Sequence, residues 1–484
     1  MTSIVLSSCL LLAWPDPPQP ASDPPGLSPA DIVAAIETVM ADAISKAEPS
    51  VVAISRSKGE NSQETQAVRG RKQPLDIHEP PRQFLLDGRL PRIPDPFSTI
   101  SFDFGSGVVI GDHGEILTLF HVVRGARQLL VHAADRQEFY AEILAADPRS
   151  DLAVIVPVAR EGADPPRLKP LSIGDAGRLR KGTFLIALGN SFNAARDGTP
   201  SASWGILSNI ARKLDPEVDD MNRPTKAPRL MNHPTLLQLD AKLNLGMSGG
   251  AVINLKGELI GLTTMAASPA GFDAMAGYAI PMDKLGRRAV QTLKEGKEVE
   301  YGLLGVKPHN FTNRVIEVTL NSPAALGQLQ VNDEIIAVDG APVVDFDSLI
   351  LAVNVHSAGD TVRLKIRRGE ETIERTIVLA KFPVEGEVIA TNRPKAWRGL
   401  RVDYTNLLNY RSFGPNSLDP SMAGVVVAEV EEGSPAATAG IKKGQLIRRV
   451  AGKNIRTPRD FAEAVATHDG SVTLETDLGP VTVK

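Results

Sequence analysis

The hydrophobic pattern divides the chain into an N-terminal helix, a long β-rich region and a C-terminal repeat. Ser-Pro-Ala-Asp at 28–31 has the features of a helix start, and apolar residues at helical spacing predict a helix over 32–47, followed by a strand from residue 50. Residues 57–98 are rich in charge, Pro and Gln, which predicts a long insertion. Between residues 105 and 279, short β-branched runs alternate with Gly, Asp and Asn turns, and this pattern favours a β-barrel or sandwich over a parallel sheet.

The region after a predicted closing helix at 284–294 contains an internal repeat. Ser-Pro-Ala-Ala occurs at 322–325 and again at 434–437. At the same offset, Ile335, Val338, Gly340, Ala352 and Val353 match Ile447, Val450, Gly452, Ala464 and Val465. Two copies are too few for a solenoid, so the repeat predicts two independent modules joined by a linker at 383–394.

Composition excludes several classes of function. The 484 residues are 42% hydrophobic and 23% charged, as in ordinary globular proteins, and more than one domain is expected at this length. A formal net charge of −4 argues against a general nucleic-acid binder, because no basic excess is present to neutralise phosphates. The single cysteine, Cys9, excludes an internal disulfide and a thiolate zinc site, and the eight histidines lack paired spacing, so we expect no metal site.

The N-terminal segment, residues 1–29, has features of an export signal. An apolar stretch at 4–13 precedes a Pro-rich segment, although no Lys or Arg precedes the apolar stretch. Leu-Ser-Ser-Cys at 6–9 is also similar to a lipoprotein cleavage box, which would place a lipid on Cys9. We therefore expect an exported protein of the periplasm or cell envelope, with a cleaved signal, a lipid anchor or neither as the alternatives.

Three short motifs carry a His, an Asp and a Ser in that order. The motifs are Leu-Thr-Leu-Phe-His at 117–121, Asp-Pro-Arg-Ser-Asp at 147–151 and Gly-Met-Ser-Gly-Gly at 246–250. A serine hydroxyl is a poor nucleophile, so an imidazole must take its proton, and a carboxylate must hold that imidazole in one tautomer. Glycines beside the serine let amide N–H groups converge on a developing oxyanion. The combination indicates His121, Asp151 and Ser248 as a catalytic triad in the chymotrypsin-type order.

With these motifs, the chain resembles the HtrA/Deg family of trypsin-like proteases from about residue 47 to the C-terminus. The family's aspartate segment resembles residues 147–154, and further similar strings lie at 204–208, 237–241 and 277–281. The resemblance implies a mainly β protein, with a chymotrypsin-like double β-barrel at 30–298 followed by two small β-rich PDZ domains with short helices at 301–382 and 395–484.

The family resemblance also implies the roles of individual residues. His121 would be the general base, Asp151 its orienting carboxylate and Ser248 the nucleophile, while the Gly246-Met247-Ser248 turn would form the oxyanion hole through the Gly246 and Ser248 N–H groups. In the PDZ domains, the peptide-binding turns would contain Leu304, Gly305 and Val306 in the first copy and Gly399 and Leu400 in the second. Both segments have the alternative of being simple first strands of small barrels, and for the second copy this alternative is equally consistent with the sequence.

Partners are also implied by the resemblance. It implies cleavage of unfolded or misfolded polypeptides without a cofactor, C-terminal peptides bound at the PDZ domains, and assembly into a homo-oligomer of one or more trimers. No nucleic acid is expected as a partner.

Several positions depart from the family's pattern. Phe120 and Met247 stand where the family usually has Asn, Leu245 where it tends to have Pro, and Gln328 stands at the position that is Gly440 in the second copy. Because Met247 and Leu245 could alter the oxyanion turn, a proteolytically inactive chaperone or peptide-binding scaffold is the alternative function. A lipid-anchored adaptor that uses only its PDZ domains is a third, and it depends on Cys9.

Overall fold

The computed structural model describes residues 28–57, 104–159, 165–191, 198–212, 235–264, 277–309, 312–320, 322–384, 387–405 and 424–484. Cys9 and residues 58–98 of the predicted insertion lie outside this description. None of the helices in the described part of the chain combines the length and apolar content needed to cross a lipid bilayer.

The N-terminal helix α1 spans Pro29–Ala47 and begins where the sequence predicts. The Ser28 hydroxyl accepts from the Asp31 N–H while the Asp31 carboxylate accepts from Ser28, which is a reciprocal capping box. Only Ala43 and Ala47 are buried along the helix, and a 3₁₀ turn at Glu48–Ser50 leads into the first strand. Most of α1 therefore projects from the β-rich body.

The first barrel closes six antiparallel strands around an aliphatic core. Its strands are β1 (Val51–Ser57), β2 (Phe104–Val109), β3 (Ile116–Leu119), β4 (Gln128–His132), β5 (Glu138–Asp147) and β6 (Leu152–Pro157). They pair in the order β5-β4-β1-β2-β3-β6, and the β5–β6 pairing closes the ring. A four-residue helix, α2 (Phe120–Val123), follows β3 directly.

The second barrel has the same number of strands. They are β7 (Phe184–Gly189), β8 (Ser201–Arg212), β9 (Leu236–Leu239), β10 (Ala251–Ile253), β11 (Leu259–Thr264) and β12 (Gly277–Pro281), after a 3₁₀ turn at Ala176–Arg178. The closed order is β10-β11-β12-β9-β8-β7. Helix α3 (Lys284–Lys294) follows, with the bounds that the sequence predicts, and packs on the first barrel core through Leu285, Ala289 and Leu293. The predicted mainly β fold with a double barrel is confirmed.

Two smaller β-rich modules complete the chain, each with its own hydrophobic core. The first module contains β13 (Gly302–Leu303), β14 (Val306–Pro308), β15 (Val315–Val318), α4 (Pro323–Leu326), β16 (Glu334–Val338), β17 (Ala341–Pro342), α5 (Phe346–Asn354), β18 (Thr361–Arg368), β19 (Glu371–Val378) and β20 (Ala380–Lys381). The second contains β22 (Leu400–Tyr404), β23 (Val425–Val430), α6 (Pro435–Thr438), β24 (Leu446–Val450), β25 (Lys453–Asn454), α7 (Pro458–Ala466), β26 (Val472–Thr476) and β27 (Gly479–Val483).

The repeated residues occupy equivalent places in the two modules. Ser322 and Ser434 cap the short helices α4 and α6 in the same way, each hydroxyl accepting from the amide three residues on. Ile335 and Ile447 are both fully buried in their module cores. The repeat in the sequence therefore corresponds to a repeat in structure.

The linker between the modules is part of the first barrel's sheet. Strand β21 (Ile389–Ala390) pairs antiparallel with the end of β5, joining Ile389 to Ala146. The next residue, Thr391, donates from its hydroxyl to the Leu144 carbonyl at 2.8 Å. The chain that leaves the first module thus returns to the barrel before it enters the second.

A buried lysine joins the barrel domain to both modules. Lys381 in β20 is 6% exposed, and its Nζ lies 2.9 Å from Glu298, 3.5 Å from Glu300 and 3.2 Å from Asp403 of β22. Burial alone would lower the pKa of Lys381, but these three carboxylates raise it above its ordinary value. Burial is also the largest cause that raises the pKa of Glu300. The lysine therefore neutralises acidic groups from two parts of the chain.

We predict that Lys381→Met separates the second module from the first at neutral pH, because three carboxylates then face each other without a cation. Small-angle X-ray scattering should show a larger radius of gyration than for the parent. Since the pKa of Glu300 is raised, mild acid should remove its charge early and reduce the expansion. Lys442→Met, at an exposed lysine of the second module, is the matched control. Identical scattering of both variants across this pH range would contradict the prediction.

Candidate active site

His121 and Asp151 are joined at the edge of the first barrel. His121 lies in α2, and its Nδ1 is 2.6 Å from Asp151 Oδ2, while the His121 backbone N–H donates to Asp151 Oδ1 at 3.0 Å. The Asp151 carbonyl accepts from the Phe120 N–H at 2.8 Å. The Asp151 side chain is 2% exposed and the imidazole 29% exposed. This contact suits the neutral imidazole tautomer in which Nδ1–H donates to the carboxylate and Nε2 is an acceptor.

The turn that presents Asp151 is organised by another carboxylate. Asp147, at the end of β5, accepts from the Ser150 N–H at 3.0 Å, from the Ser150 hydroxyl at 2.6 Å and from the Arg149 N–H at 3.2 Å. Asp151 itself has φ +57°, a left-handed conformation that is uncommon outside glycine. The antiparallel pairing of β5 with β6 on either side fixes both ends of this tight turn.

Arg56 holds the helix that carries the histidine, a role that the sequence did not indicate. Its Nη1 donates to the carbonyls of His121, at 3.1 Å, and of Arg124, at 2.5 Å. These carbonyls lie at the C-terminal end of a helix only four residues long, where acceptors have no partner within the helix. No local sequence signal indicates this contact, because Arg56 lies in β1, 65 positions before His121.

Ser248 lies in a tight turn between β9 and β10, on the second barrel. The Met247 carbonyl accepts from Gly250 N–H at 2.8 Å, and Gly249 N–H donates to Thr263 in β11 at 2.8 Å. The Thr263 hydroxyl also donates to the Met247 carbonyl. Ser248 is half-buried, and no hydrogen bond links its hydroxyl to His121 among the residues described. Such bonds often tighten only when substrate binds.

Strand β2 brings the serine turn against the first barrel. The Ser106 N–H donates to the Ser248 carbonyl at 2.8 Å, and the Ser106 hydroxyl donates to the Gly246 carbonyl at 2.8 Å and accepts from the Asn190 N–H at 2.8 Å. Gly105 allows this approach, since a Cβ there would lie 2.7 Å from Val122, next to His121, and 3.1 Å from the Ser248 carbonyl. The structure therefore brings His121, Asp151 and Ser248 to one seam between the barrels.

The amides of the serine turn are divided between bonded and open groups. Met247 N–H donates to the Asn244 carbonyl at 3.1 Å. In contrast, the Gly246 and Ser248 N–H groups have no acceptor among the described residues. Buried amides normally have a partner, so two open N–H groups in one turn are suited to an anionic oxygen from outside.

Two of the residues that depart from the family pattern, Phe120 and Met247, are buried. Phe120 is 2% exposed and packs in the first barrel core. Met247 is 1% exposed, and its Cα, Cβ and Cγ lie within 3.0–3.2 Å of where a Cβ would stand on Gly189. Leu245 is the exception, with 46% of its side chain exposed.

The predicted peptide-binding turns have equivalent geometry in the two modules. Gly305 and Gly399 have φ +81° and +79°, and a Cβ at either would lie about 2 Å from the Cβ of the helix-capping serine, Ser322 or Ser434. Leu304 and Gly305 N–H have no acceptor in the described chain. In the second turn, however, Leu400 N–H donates to the Trp397 carbonyl at 2.8 Å.

The neighbouring residues differ between the two turns. Leu304 is buried and Val306 begins β14 in the first module, whereas Arg398 occupies the place of Leu304 in the second. The Arg398 guanidinium donates to the Val483 carbonyl at 2.7 Å and lies 4.7 Å from the Trp397 ring centroid. The two turns thus differ in the side chain that precedes the glycine and in the bond between Leu400 and Trp397. Across the described ranges, no group of three or more His, Cys, Asp or Glu side chains is arranged to hold a metal ion.

Three family models match the chain. A trypsin-like peptidase domain matches residues 105–262, and two PDZ domain models match residues 302–379 and 426–476.

Curated relatives cover most of this length. The probable periplasmic serine endoprotease DegP-like of Pseudomonas fluorescens is 30% identical over 383 residues, which are 74% of this chain and 73% of that protein. The periplasmic pH-dependent serine endoprotease DegQ of Escherichia coli is 27% identical over 454 residues, 90% of this chain and 88% of that protein. A solved structure of the HtrA-type protease AlgW with tripeptide is 24% identical, with a TM-score of 0.49, and the match covers 71% of this chain and 97% of that chain.

We predict that Ser106→Ala lowers the free energy of unfolding by about 1–3 kcal/mol, because the buried Gly246 carbonyl and Asn190 N–H both lose their partner. Urea unfolding followed by tryptophan fluorescence measures this change. Ser201→Ala, at an exposed serine of the second barrel, is the control and should be close to neutral. Equal unfolding midpoints for the two variants would show that the hydrogen bonds of the Ser106 hydroxyl do not contribute to stability.

Proposed function

The chain belongs to the HtrA/Deg family of trypsin-like serine endoproteases, and on that basis we propose that Ser248, His121 and Asp151 are its nucleophile, general base and orienting carboxylate. The observation that carries the assignment is the 2.6 Å contact between His121 Nδ1 and Asp151 in a histidine helix that packs beside the Ser248 turn. The buried carboxylate keeps the proton on Nδ1, so Nε2 is available to take the Ser248 proton during attack.

The attack step requires a site for negative charge. Ser248 Oγ adds to the scissile carbonyl carbon, and the carbonyl oxygen becomes an oxyanion as the proton passes to His121. The open N–H groups of Gly246 and Ser248 support this turn as the oxyanion hole. His121 then gives the proton to the leaving amine, and water, activated by the same imidazole, hydrolyses the acyl-enzyme. The buried Met247 side chain supports activity despite the departure from Asn.

For substrates, we propose unfolded or misfolded polypeptides. A protease cleft between two barrels accepts an extended main chain, which folded proteins rarely expose. This chemistry requires no cofactor, because the triad and the backbone amides provide the base, the nucleophile and the charge stabilisation. From the same family membership, we propose that the two PDZ domains span 301–382 and 395–484 and that 383–394 is the linker between them.

We propose that the first PDZ domain binds the C-terminal end of a polypeptide at Leu304, Gly305 and Val306. The open N–H groups of Leu304 and Gly305 are suited to a terminal carboxylate, and β14 offers an edge for an added strand. In the second domain, Gly399 and Leu400 lie in a turn that uses one of its own amides, so we expect weaker binding there.

We also propose self-association through α1 and a location outside the cytoplasm. Ile32, Val33, Ile36 and Val39 expose between 43% and 64% of their surfaces, an apolar stripe that assembly into a trimer would cover. The periplasmic names of the relatives support export. A lipid anchor at Cys9 remains part of this proposal and lies outside the described residues.

We expect purified protein to cleave unfolded casein and Ser248→Ala to lose roughly 10⁶-fold in kcat, since the nucleophile is removed. Asp151→Asn should lose about 10⁴-fold, because an amide no longer imposes the productive tautomer on His121. Gel assays and a fluorogenic peptide measure both changes. No cleavage by the parent, even with peptides that bind the PDZ domains, would instead favour a non-cleaving scaffold.

We expect Gly305→Ala to weaken binding of a decapeptide with a free C-terminal carboxylate by roughly 10- to 100-fold, the loss expected for one or more hydrogen bonds to a charged group. The added methyl meets Ser322 and displaces the turn. Gly340→Ala is the matched control, because Gly340 has the same φ of +81° but open space around it. Fluorescence anisotropy measures the affinity, and an amidated peptide should bind neither protein. Equal weakening by both substitutions would exclude this turn as the carboxylate site.

A further inference from the structure

The turn that presents Asp151 contains an arginine that packs against two aromatic rings. Arg149 is only 7% exposed, and its guanidinium carbon lies 3.5 Å from the centroid of Phe382 and 4.5 Å from that of Tyr301. Contact with two rings in a buried site holds a planar cation more tightly than a surface ion pair does. Arg149 is two residues from Asp151 along the chain, so its position bears directly on the turn.

The two rings belong to the two chain ends of the first PDZ module. Tyr301 immediately precedes β13 and Phe382 immediately follows β20, and β13 and β20 pair with each other. The Phe382 N–H donates to the Tyr301 carbonyl at 2.8 Å, which ties the two rings together. Arg149 therefore contacts the two chain segments through which the module joins the protease domain.

A second contact reaches the same turn from Tyr301. Its hydroxyl donates to Asp147 Oδ2, the oxygen that also accepts from Ser150. Burial, and then the Asp147 charge, raise the pKa of Tyr301 well above its ordinary value, so the hydroxyl stays protonated as a donor. One aromatic side chain thus contacts both Asp147 and Arg149.

The conformation of Asp151 explains why these contacts matter. A non-glycine residue with positive φ relaxes to another conformation unless its surroundings hold it. If the turn relaxed, Asp151 Oδ1 and Oδ2 would leave their positions against the N–H and Nδ1 of His121. The Arg149 side chain contacts two rings of the PDZ module, while its backbone belongs to the turn that holds Asp151. A change in these ring contacts would therefore affect catalysis through the position of Asp151.

We propose that Arg149 is a positioning residue for peptide hydrolysis, which makes the orientation of Asp151 depend on the two ends of the first PDZ module being docked on the protease domain. This inference rests on the proposed triad. It requires no peptide bound to the PDZ domain, because the contacts of Arg149 lie where the module joins the protease domain rather than in its peptide-binding turn.

Arg149→Met tests the proposal in the full-length protein, since it keeps the length of the side chain and removes the planar cation. We expect kcat on a fluorogenic peptide to fall roughly 10- to 100-fold, as for displacements that misplace a catalytic group, with KM unchanged. The rate at which a fluorophosphonate modifies Ser248 should fall by a similar factor. Arg149→Lys should recover part of the loss, because an ammonium retains the attraction to the rings.

A control variant separates positioning from lost stability. Arg368→Met removes a partner of the fully buried Asp333 within the same PDZ module and should lower the melting temperature without changing kcat. If Arg149→Met does not fold, Tyr301→Phe, which keeps the ring and removes the bond to Asp147, takes its place with a smaller expected loss. The circular dichroism melting curve establishes folding for each variant.

The proposal would be overturned if folded Arg149→Met and Tyr301→Phe kept the parent's kcat and the parent's rate of Ser248 labelling. In that case, an active parent and an inactive Ser248→Ala would show that the triad assignment still holds. A loss of kcat in Arg368→Met equal to that in Arg149→Met would also overturn it, since destabilisation would then explain both. If the parent neither cleaves nor labels, the catalytic assignment fails and this inference fails with it.

Discussion

The bonds made by Ser106 determine whether the two barrels form one cleft. Its N–H and hydroxyl donate to the carbonyls of Ser248 and Gly246, and the same hydroxyl accepts from Asn190 of the second barrel. Thr118, from the strand that leads to His121, donates in turn to the Ser106 carbonyl at 2.7 Å. One residue therefore relates the histidine side of the cleft to the serine side. Because the three bonds of Ser106 to Gly246, Asn190 and Thr118 are buried, any displacement of one barrel against the other would break buried hydrogen bonds and is therefore resisted.

The Asp151 turn has a comparable role within the first barrel and beyond it. A left-handed residue costs about 1–2 kcal/mol relative to ordinary backbone, and here the cost is offset by bonds to the histidine helix and by the Asp147 network. The same turn contacts the first PDZ module through Arg149, and strand β21 pairs with the residues just before it. The protease domain and the first module consequently share a boundary at the residues on which the proposed chemistry depends.

Much of this architecture is predictable from local sequence. The capped start of α1 at Ser28, the bounds of α3 and the equivalence of the two modules follow from signals within a few residues or from a constant offset. The contacts that the sequence does not reveal join distant segments: Ser106 to Gly246 spans 140 positions, Tyr301 to Asp147 spans 154, and Thr391 to Leu144 spans 247. No periodicity or motif encodes such pairs. Gln328 illustrates a smaller gap, because it adopts φ +60° where the second copy has Gly440 at +84°, so the backbone shape is retained without the glycine.

The departures from the family pattern can be weighed by where the side chains point. The Phe120 and Met247 side chains are both buried, whereas the functional groups at these positions belong to the main chain. The Phe120 N–H donates to the Asp151 carbonyl, and the Met247 N–H donates to the Asn244 carbonyl in a turn that leaves the N–H groups of Gly246 and Ser248 open. Replacing a polar side chain by an apolar one at such places increases burial of apolar surface without removing any main-chain donor. Leu245 differs, because its side chain is exposed beside the turn. A change at the exposed Leu245 would alter the surface of the turn, while changes at the two buried positions would act through packing.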